Sequence, residues 1–197
     1  KTIEDQKDYL SELDRKIGDG DHGVTMNIGW MAVKEKLSTI NPSDGFHKIC
    51  TQIASSFLSA VGASAGPLYA TALMRGGGAV KDKNSLDAMS FSLFLNAAAN
   101  GIKERGKAEI GDKTMLDVWI PAADEMKKKA SEGANLMEAL ECTVNTAENA
   151  MNNTKNLLAK KGRSSKLGNR SIGHIDPGAA SSFAIINSIF QTLKEMN

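Results

Sequence analysis

Apolar side chains recur along most of this chain at every third or fourth position, and almost nowhere at every second one. Met26, Trp30, Val33 and Leu37 fall at i, i+4, i+7 and i+11, the spacing of one face of a helix. Phe46, Ile49, Ile53 and Phe57 repeat that spacing just after Pro42-Ser43, a helix-start signal. Ser85 precedes a pattern that runs to about Arg105 and stops at Gly106. Asp112 is placed to cap a helix through about Ser131, stopped by Gly133. Leu136, Leu140, Val144, Ala147 and Met151 carry the next one to about Lys161, stopped by Gly162. Asp176-Pro177 then supplies an N-cap and a first-turn proline for a closing helix bearing Phe183, Ile186, Phe190 and Leu193. An N-terminal helix and one over 66–79 bring the total to about eight. Residues 1–197 read as one all-α domain of amphipathic helices, with no linker and no internal repeat.

The segments left between the helices are long and rich in glycine: roughly 14–23, 60–66, 106–112 and 162–176. Loops of that kind inside a compact helical domain are usually functional, and four of them can meet at one end of a bundle. Composition narrows what they do. The formal net charge of +1 gives no global field for nucleic acid or an anionic membrane. No run approaches the roughly 18–20 apolar residues of a membrane span. Two isolated cysteines, Cys50 and Cys142, form neither a zinc motif nor a disulfide framework, which points to small buried thiols in a reducing cytoplasm. The first residues, rich in Asp, Glu and Lys, lack a signal-peptide core.

The chemistry concentrates at Asp14-Arg-Lys-Ile-Gly-Asp19-Gly-Asp21-His22-Gly23. Three carboxylates that close repel one another unless a cation sits among them, and the glycines let the backbone wrap around one. A donor set of oxygens without cysteine suits a hard cation such as Mg²⁺, and the calcium-loop spacing of an EF-hand is absent. Such a cation usually accompanies phosphate, and the helix expected near Val24 would aim its free N–H groups at an anion. Val61-Gly-Ala-Ser-Ala-Gly-Pro67 is a second small-residue loop, offering Ser64 at a helix start; it reads equally as tight helix packing. No P-loop lysine and no dinucleotide fingerprint follows it. A third stretch, Lys160 to Gly178, combines Lys160, Lys161, Arg163, Lys166 and Arg170 with mobile glycines, either a lid that closes over a ligand or a solvated basic loop. His47 and His174 carry little signal alone.

Three strings together resemble a known family: Leu13 through Gly23, Arg105-Gly-Lys-Ala-Glu-Ile-Gly-Asp-Lys-Thr-Met115, and Gly162 through Gly178. They are similar, in order and spacing over nearly the whole chain, to the nucleotide-binding L subunits of bacterial dihydroxyacetone kinases. The resemblance implies a barrel of eight antiparallel helices with a nucleotide, ADP or ATP, at one end. It implies two Mg²⁺ ions on Asp14, Asp19 and Asp21, bridging to the phosphates. His22, Gly23, Val24 and Thr25 would contribute at the helix start, Ser64 and Ala65 against the phosphates. Gly106, Met115, Arg163, Asp176, Pro177 and Gly178 would line or cover the nucleotide. The implied partners are a K subunit that carries the ketose and a phosphohistidine protein of the phosphotransferase system that recharges ADP, with a homodimer as the assembly. The family commonly has Asn where Thr25 stands and a serine one position away from Ser64, and Lys166 and Asn169 replace its usual Tyr and Glu. A nucleotide-sensing regulatory protein and an ATP-exchanging triose or tetrose kinase are the rival readings; a stand-alone phosphatase would need a general base that is not evident.

Overall fold

The computed structural model describes residues 1–41 and 43–196. Its elements are α1 (Thr2–Asp5), α2 (Lys7–Ile17), α3 (His22–Leu37), α4 (Phe46–Ala60), α5 (Ala65–Ala79), α6 (Ala88–Gly106), α7 (Leu116–Ser131), α8 (Leu136–Asn153) and α9 (Pro177–Met196). Among the described residues there is no strand. The four-residue α1 leads straight into α2, so eight substantial helices build the domain, as the periodicity requires. Pro42 of the expected start signal lies outside the described residues; α4 itself begins at Phe46 behind an extended Gly45.

Each helix packs on the next along the chain, and α9 closes the ring against α1, α2, α3, α7 and α8. Short connections make α3 to α8 sequentially antiparallel, and the long return from Asn153 to Pro177 brings the start of α9 to the same end as those of α3, α5 and α7. A column of aromatic rings fills the interior, Trp30–Phe57–Tyr69–Trp119, edge to face at centroid separations of 5.5, 5.8 and 6.5 Å. Leu10, Met26, Leu95, Leu116, Met126 and Leu140 surround it, none more than 1% exposed. No helix among the described residues is long and apolar enough to cross a membrane.

Several boundaries differ from the sequence pattern, and each has a local cause. Asp14 is not in a loop: it sits on the last turn of α2. The expected cap at Asp112 is a turn instead, its carboxylate accepting from the Glu109 N–H at 2.9 Å, and α7 starts only at Leu116. Asp117 replaces it by taking the Gly111 N–H, at 2.5 Å, and the Thr114 N–H, at 2.7 Å. At the end of α6 the left-handed residue is Lys107, φ 48°, rather than Gly106. At the start of α6 the capping box uses Asp87 and Ser90, just beyond Ser85. α8 stops at Asn153, eight residues before Lys161, where a 3₁₀ turn over Thr154–Asn156 turns the chain away. The basic stretch expected as loop contains 3₁₀ structure over Arg163–Ser171, broken at Gly168. Cys50 is buried as expected, but Cys142 is only half-buried. Burial pushes the Cys50 thiol up to about 11, leaving it unreactive.

The corner between α2 and α3 depends on a close backbone approach. A Cβ at Gly23 would lie 1.9 Å from the Lys7 carbonyl oxygen and 2.6 Å from Ser11 Oγ. Gly23→Ala therefore has to push α3 off α2, an overpacking cost of roughly 2–3 kcal/mol. The expected readout is a thermal midpoint lower by about 5–10 °C. An unchanged midpoint would mean that this corner is looser than drawn.

Candidate functional site

The α2–α3 corner sets out the three aspartates. Asp14 comes from the buried side of α2, while Asp19 and Asp21 project from the exposed turn. One carboxylate oxygen from each lies within 4.8 Å of the others. The Asp14 carboxylate also accepts from the His22 N–H at 3.2 Å. A Cβ at Gly18 would sit 2.1 Å from Asp14 Oδ1, so only glycine leaves that carboxylate its place. Three converging hard oxygens with open surface beside them fit a divalent cation of the Mg²⁺ class. Arg163, from the basic stretch, ion-pairs with Asp19 and reaches Asp21 at 3.4 Å. Desolvation pushes the Asp19 carboxyl up, but the hydrogen bond and charge of Arg163 outweigh it and hold it below the ordinary value.

A cavity of about 220 Å³ opens beside these carboxylates. Asp14, Asp21, His22 and Thr25 form one wall, and Ser64 and Ala65 a second. Met115, Arg163 and Asp176-Pro177-Gly178 complete it, so three of the four glycine-rich segments meet there, while the expected 106–112 segment is represented only by the residues after it, Lys113 to Met115. The helices that start there are α3, α5, α7 and α9. At α3, α5 and α7 the N-cap residue makes no side-chain cap bond, although the first N–H of α3 is held by Asp14 Oδ2 and that of α7 by Thr114 Oγ1. Four converging helix N-terminal dipoles favour an anion there. At α9 the expected cap is present: Asp176 Oδ2 accepts from the Ala179 N–H at 2.8 Å. Burial, with the nearby charge of Asp117, pushes the Asp176 carboxyl up to about 7, although its amide bond works the other way.

Four of the expected residues do not line this cavity. Asp19 stands at its rim, paired with Arg163. Gly23 is spent on packing against α2, and the Val24 side chain is exposed to solvent. Gly106 ends α6, with the Leu68 side chain, itself a cavity residue, beside it.

Lys113 is the residue that the sequence pattern missed. It is 1% exposed, and its ammonium donates to the carbonyls of Ser171 and His174 at 2.6 Å each and of Leu157 at 3.2 Å. Its backbone takes the left-handed conformation, φ 61°, which a β-carbon disfavours. Burial pulls the ammonium below its ordinary value, and the charge of Asp176 pulls the other way. The basic segment is thus held over the cavity by a cation at its centre. Further stitches are Lys160 N–H to Asp112 O, 3.0 Å, Gly173 N–H to Lys155 O, 2.7 Å, and Ala159 N–H to Ser171 Oγ, 3.0 Å. A Lys in a glycine-bounded loop looks solvated in sequence; only the non-helical carbonyls it finds make it structural.

Comparison with known proteins agrees with this architecture. Residues 16–191 match the family model described as the DAK2 domain. The chain is 40% identical over 191 residues, 96% of its own length and 90% of the relative's, to the PEP-dependent dihydroxyacetone kinase ADP-binding subunit DhaL of Escherichia coli (strain K12). It is 36% identical over 196 residues to the PTS-dependent dihydroxyacetone kinase ADP-binding subunit DhaL of Lactococcus lactis, covering all of this chain and 91% of that one. Human triokinase/FMN cyclase is 33% identical over 193 residues, of which this chain spans only 33% of the length. Among solved structures, the dihydroxyacetone kinase of C. freundii in complex with AMP-PNP and Mg²⁺ superposes with a TM-score of 0.74 at 21% identity, over 97% of this chain and 32% of that one. Its native form gives a TM-score of 0.75. The match along the whole barrel and the near full-length relatives place the chain in one family: it belongs to the DAK2 domain proteins, among the DhaL-type subunits of dihydroxyacetone kinases.

Proposed function

We propose that this chain binds ADP or ATP with Mg²⁺ in the 220 Å³ cavity and passes a phosphoryl group to a ketose carried by a partner K subunit. The observation that carries the reading is the meeting of three carboxylates and four helix N-termini on one cavity. Asp14, Asp19 and Asp21 are the residues that would hold the metal, two ions in the resemblance noted above. When bound, Mg²⁺ would supply positive charge against the phosphate oxygens. The start of α3, from His22 to Thr25, and the start of α5, at Ser64 and Ala65, would face the phosphates. Met115 and Asp176-Pro177-Gly178 would enclose the rest of the nucleotide, with Gly106 behind Leu68 at the end of α6. Arg163 would place a second, mobile cation over the phosphate end.

These groups position and neutralise rather than react. Phosphoryl transfer asks mainly for in-line placement and charge stabilisation, which fixed amides supply without reorganisation. No nucleophilic side chain is required of this chain, and its acceptor comes from outside the site. Arg163→Ala should weaken nucleotide retention roughly tenfold, the value of one charge-assisted hydrogen bond. Equilibrium dialysis against Mg-ADP reads this, and unchanged retention would remove Arg163 from the site.

The names of the relatives favour a nucleotide recharged in place. Two bacterial subunits, at 40% and 36% identity, are called PEP-dependent and PTS-dependent, whereas the human triokinase stands at 33%. The same reading includes a phosphohistidine donor, a cytoplasmic location and a homodimer. It is tested on protein purified without added nucleotide, dialysed exhaustively, denatured and analysed for released adenine nucleotide. Near-stoichiometric ADP supports a resident coenzyme. Empty protein that binds Mg-ATP reversibly would favour the ATP-exchanging alternative, and failure to bind either would overturn the proposal.

A further inference from the structure

Beneath the cavity, four helices are joined by a row of buried polar atoms that the nucleotide site itself does not use. Trp119 Nε1 of α7 donates to Ser182 Oγ of α9 at 2.9 Å. Ser182 Oγ lies 2.8 Å from the Gly178 carbonyl oxygen and 3.0 Å from the Tyr69 hydroxyl of α5. The Tyr69 hydroxyl lies 2.9 Å from Ser181 Oγ, which lies 2.9 Å from His22 Nε2 of α3. Ser181 and Ser182 are fully buried, Tyr69 is 2% exposed and Trp119 5%. No water reaches such atoms to satisfy a missing partner, so the protons can be counted.

A carbonyl oxygen only accepts, and each hydroxyl brings one proton. Four contacts run from Gly178 O through Ser182, Tyr69 and Ser181 to His22, and each needs one proton between its two heavy atoms. The three hydroxyls supply three. Ser182 gives its proton to Gly178 O, Tyr69 gives to Ser182, and Ser181 gives to Tyr69. The Trp119 N–H takes the remaining lone pair of Ser182 and anchors that end. The fourth proton has one source left, His22 Nε2. A lone pair at Nε2 would leave one of the four contacts as two buried oxygens, or an oxygen and a nitrogen, facing each other without hydrogen. The longer approach of Ser181 Oγ to Gly178 O, 3.1 Å, is the alternative outlet that this assignment leaves unused.

We propose that Ser181, Tyr69 and Ser182, with Trp119 as anchor, are positioning residues that make the neutral His22 ring an obligate hydrogen-bond donor at Nε2. Nδ1 is then the single ring nitrogen that can accept a hydrogen bond at the cavity wall. The consequence rests on the proposed function: beside a carboxylate cluster and a phosphate site, a ring of fixed orientation offers one acceptor and does not turn a second N–H donor on the ligand. The relay also links the α3 corner to the first turn of α9 through Gly178, so the two walls of the cavity share one network.

The test is the long-range ¹H–¹⁵N spectrum of the full-length protein at one fixed pH of 7.5, with His47→Gln and His174→Gln used for assignment. The expected result is a protonated Nε2 on His22, its proton visible and slow to exchange, with Nδ1 carrying the lone pair. Tyr69→Phe and Ser182→Ala each relax the proton count, so the Nδ1–H form should rise at least severalfold in both. Mg-nucleotide affinity should fall roughly threefold to tenfold alongside. A wild-type ring with its lone pair at Nε2 would overturn the proposal. So would two variants that fold, by circular dichroism, and keep the wild-type tautomer ratio. Wild-type protein that shows the expected tautomer yet binds no nucleotide would refute the proposed function and leave the relay standing.

Discussion

Asp19→Asn is expected to lower Mg²⁺-dependent nucleotide affinity by roughly a hundredfold or more, the scale on which even supporting residues of metal sites act. The carboxylate stands at the rim of the site and is ion-paired with Arg163, itself exposed. Removing one charge from an exposed pair costs little fold stability. The helical signal and the thermal midpoint of apo-protein should therefore stay where they were, which separates a binding defect from unfolding. Asn keeps the shape and one oxygen but loses the charge that a hard cation requires. Isothermal titration with Mg-ADP, at Mg²⁺ in excess, is the measurement. Affinity within twofold of wild type would withdraw Asp19 from the metal site and with it the three-carboxylate reading.

Lys113→Met should have the largest effect on the architecture around the site. Met fills similar space but abandons the carbonyls of Leu157, Ser171 and His174 in a buried place. Unsatisfied buried acceptors cost about 1–3 kcal/mol each, so a total loss of roughly 3 kcal/mol is a low expectation. A chain of this size then melts about 6–12 °C lower. The more specific result is local. Lys160, Lys161, Arg163, Lys166 and Arg170 all lie in the segment that Lys113 holds, so brief trypsin treatment should nick the variant there first. Wild-type protein should resist under the same conditions. Equal resistance of the two would show that the other stitches suffice and that Lys113 is a bystander.

Most of the helical architecture was legible in the spacing of apolar residues. Met26 and Val33 on α3 and Phe57 on α4 do face the interior, and Asp176-Pro177 does open the last helix. Leu37 shows the limit: it keeps the helical spacing but ends the stripe 51% exposed. Boundaries were read less well where a tertiary bond competes with the helix. Thr154 ends α8 because its hydroxyl bonds the Met151 carbonyl at 2.6 Å and receives the Asp176 N–H at 3.0 Å, a partner 22 residues away. Nothing near Thr154 in the chain announces that. Lys113 and the Ser181–Tyr69 row were invisible for the same reason, since each gains its meaning from atoms 44 to 159 residues distant.

The candidate site divides along the same line. Asp14, Asp19 and Asp21 are within eight positions of one another, so their crowding, and hence their need for a cation, follows from covalent connectivity and Coulomb repulsion alone. The sequence by itself determined that cluster, the all-helical class and the family. That the loops at residues 63–65, 113–115, 161–164 and 176–178 face those carboxylates was decided only by the closed barrel. Antiparallel neighbours put alternate helix starts at one end, and closure by α9 turns a row of them into a ring. Four helix dipoles converge there as a property of the ring, which no local pattern of residues contains.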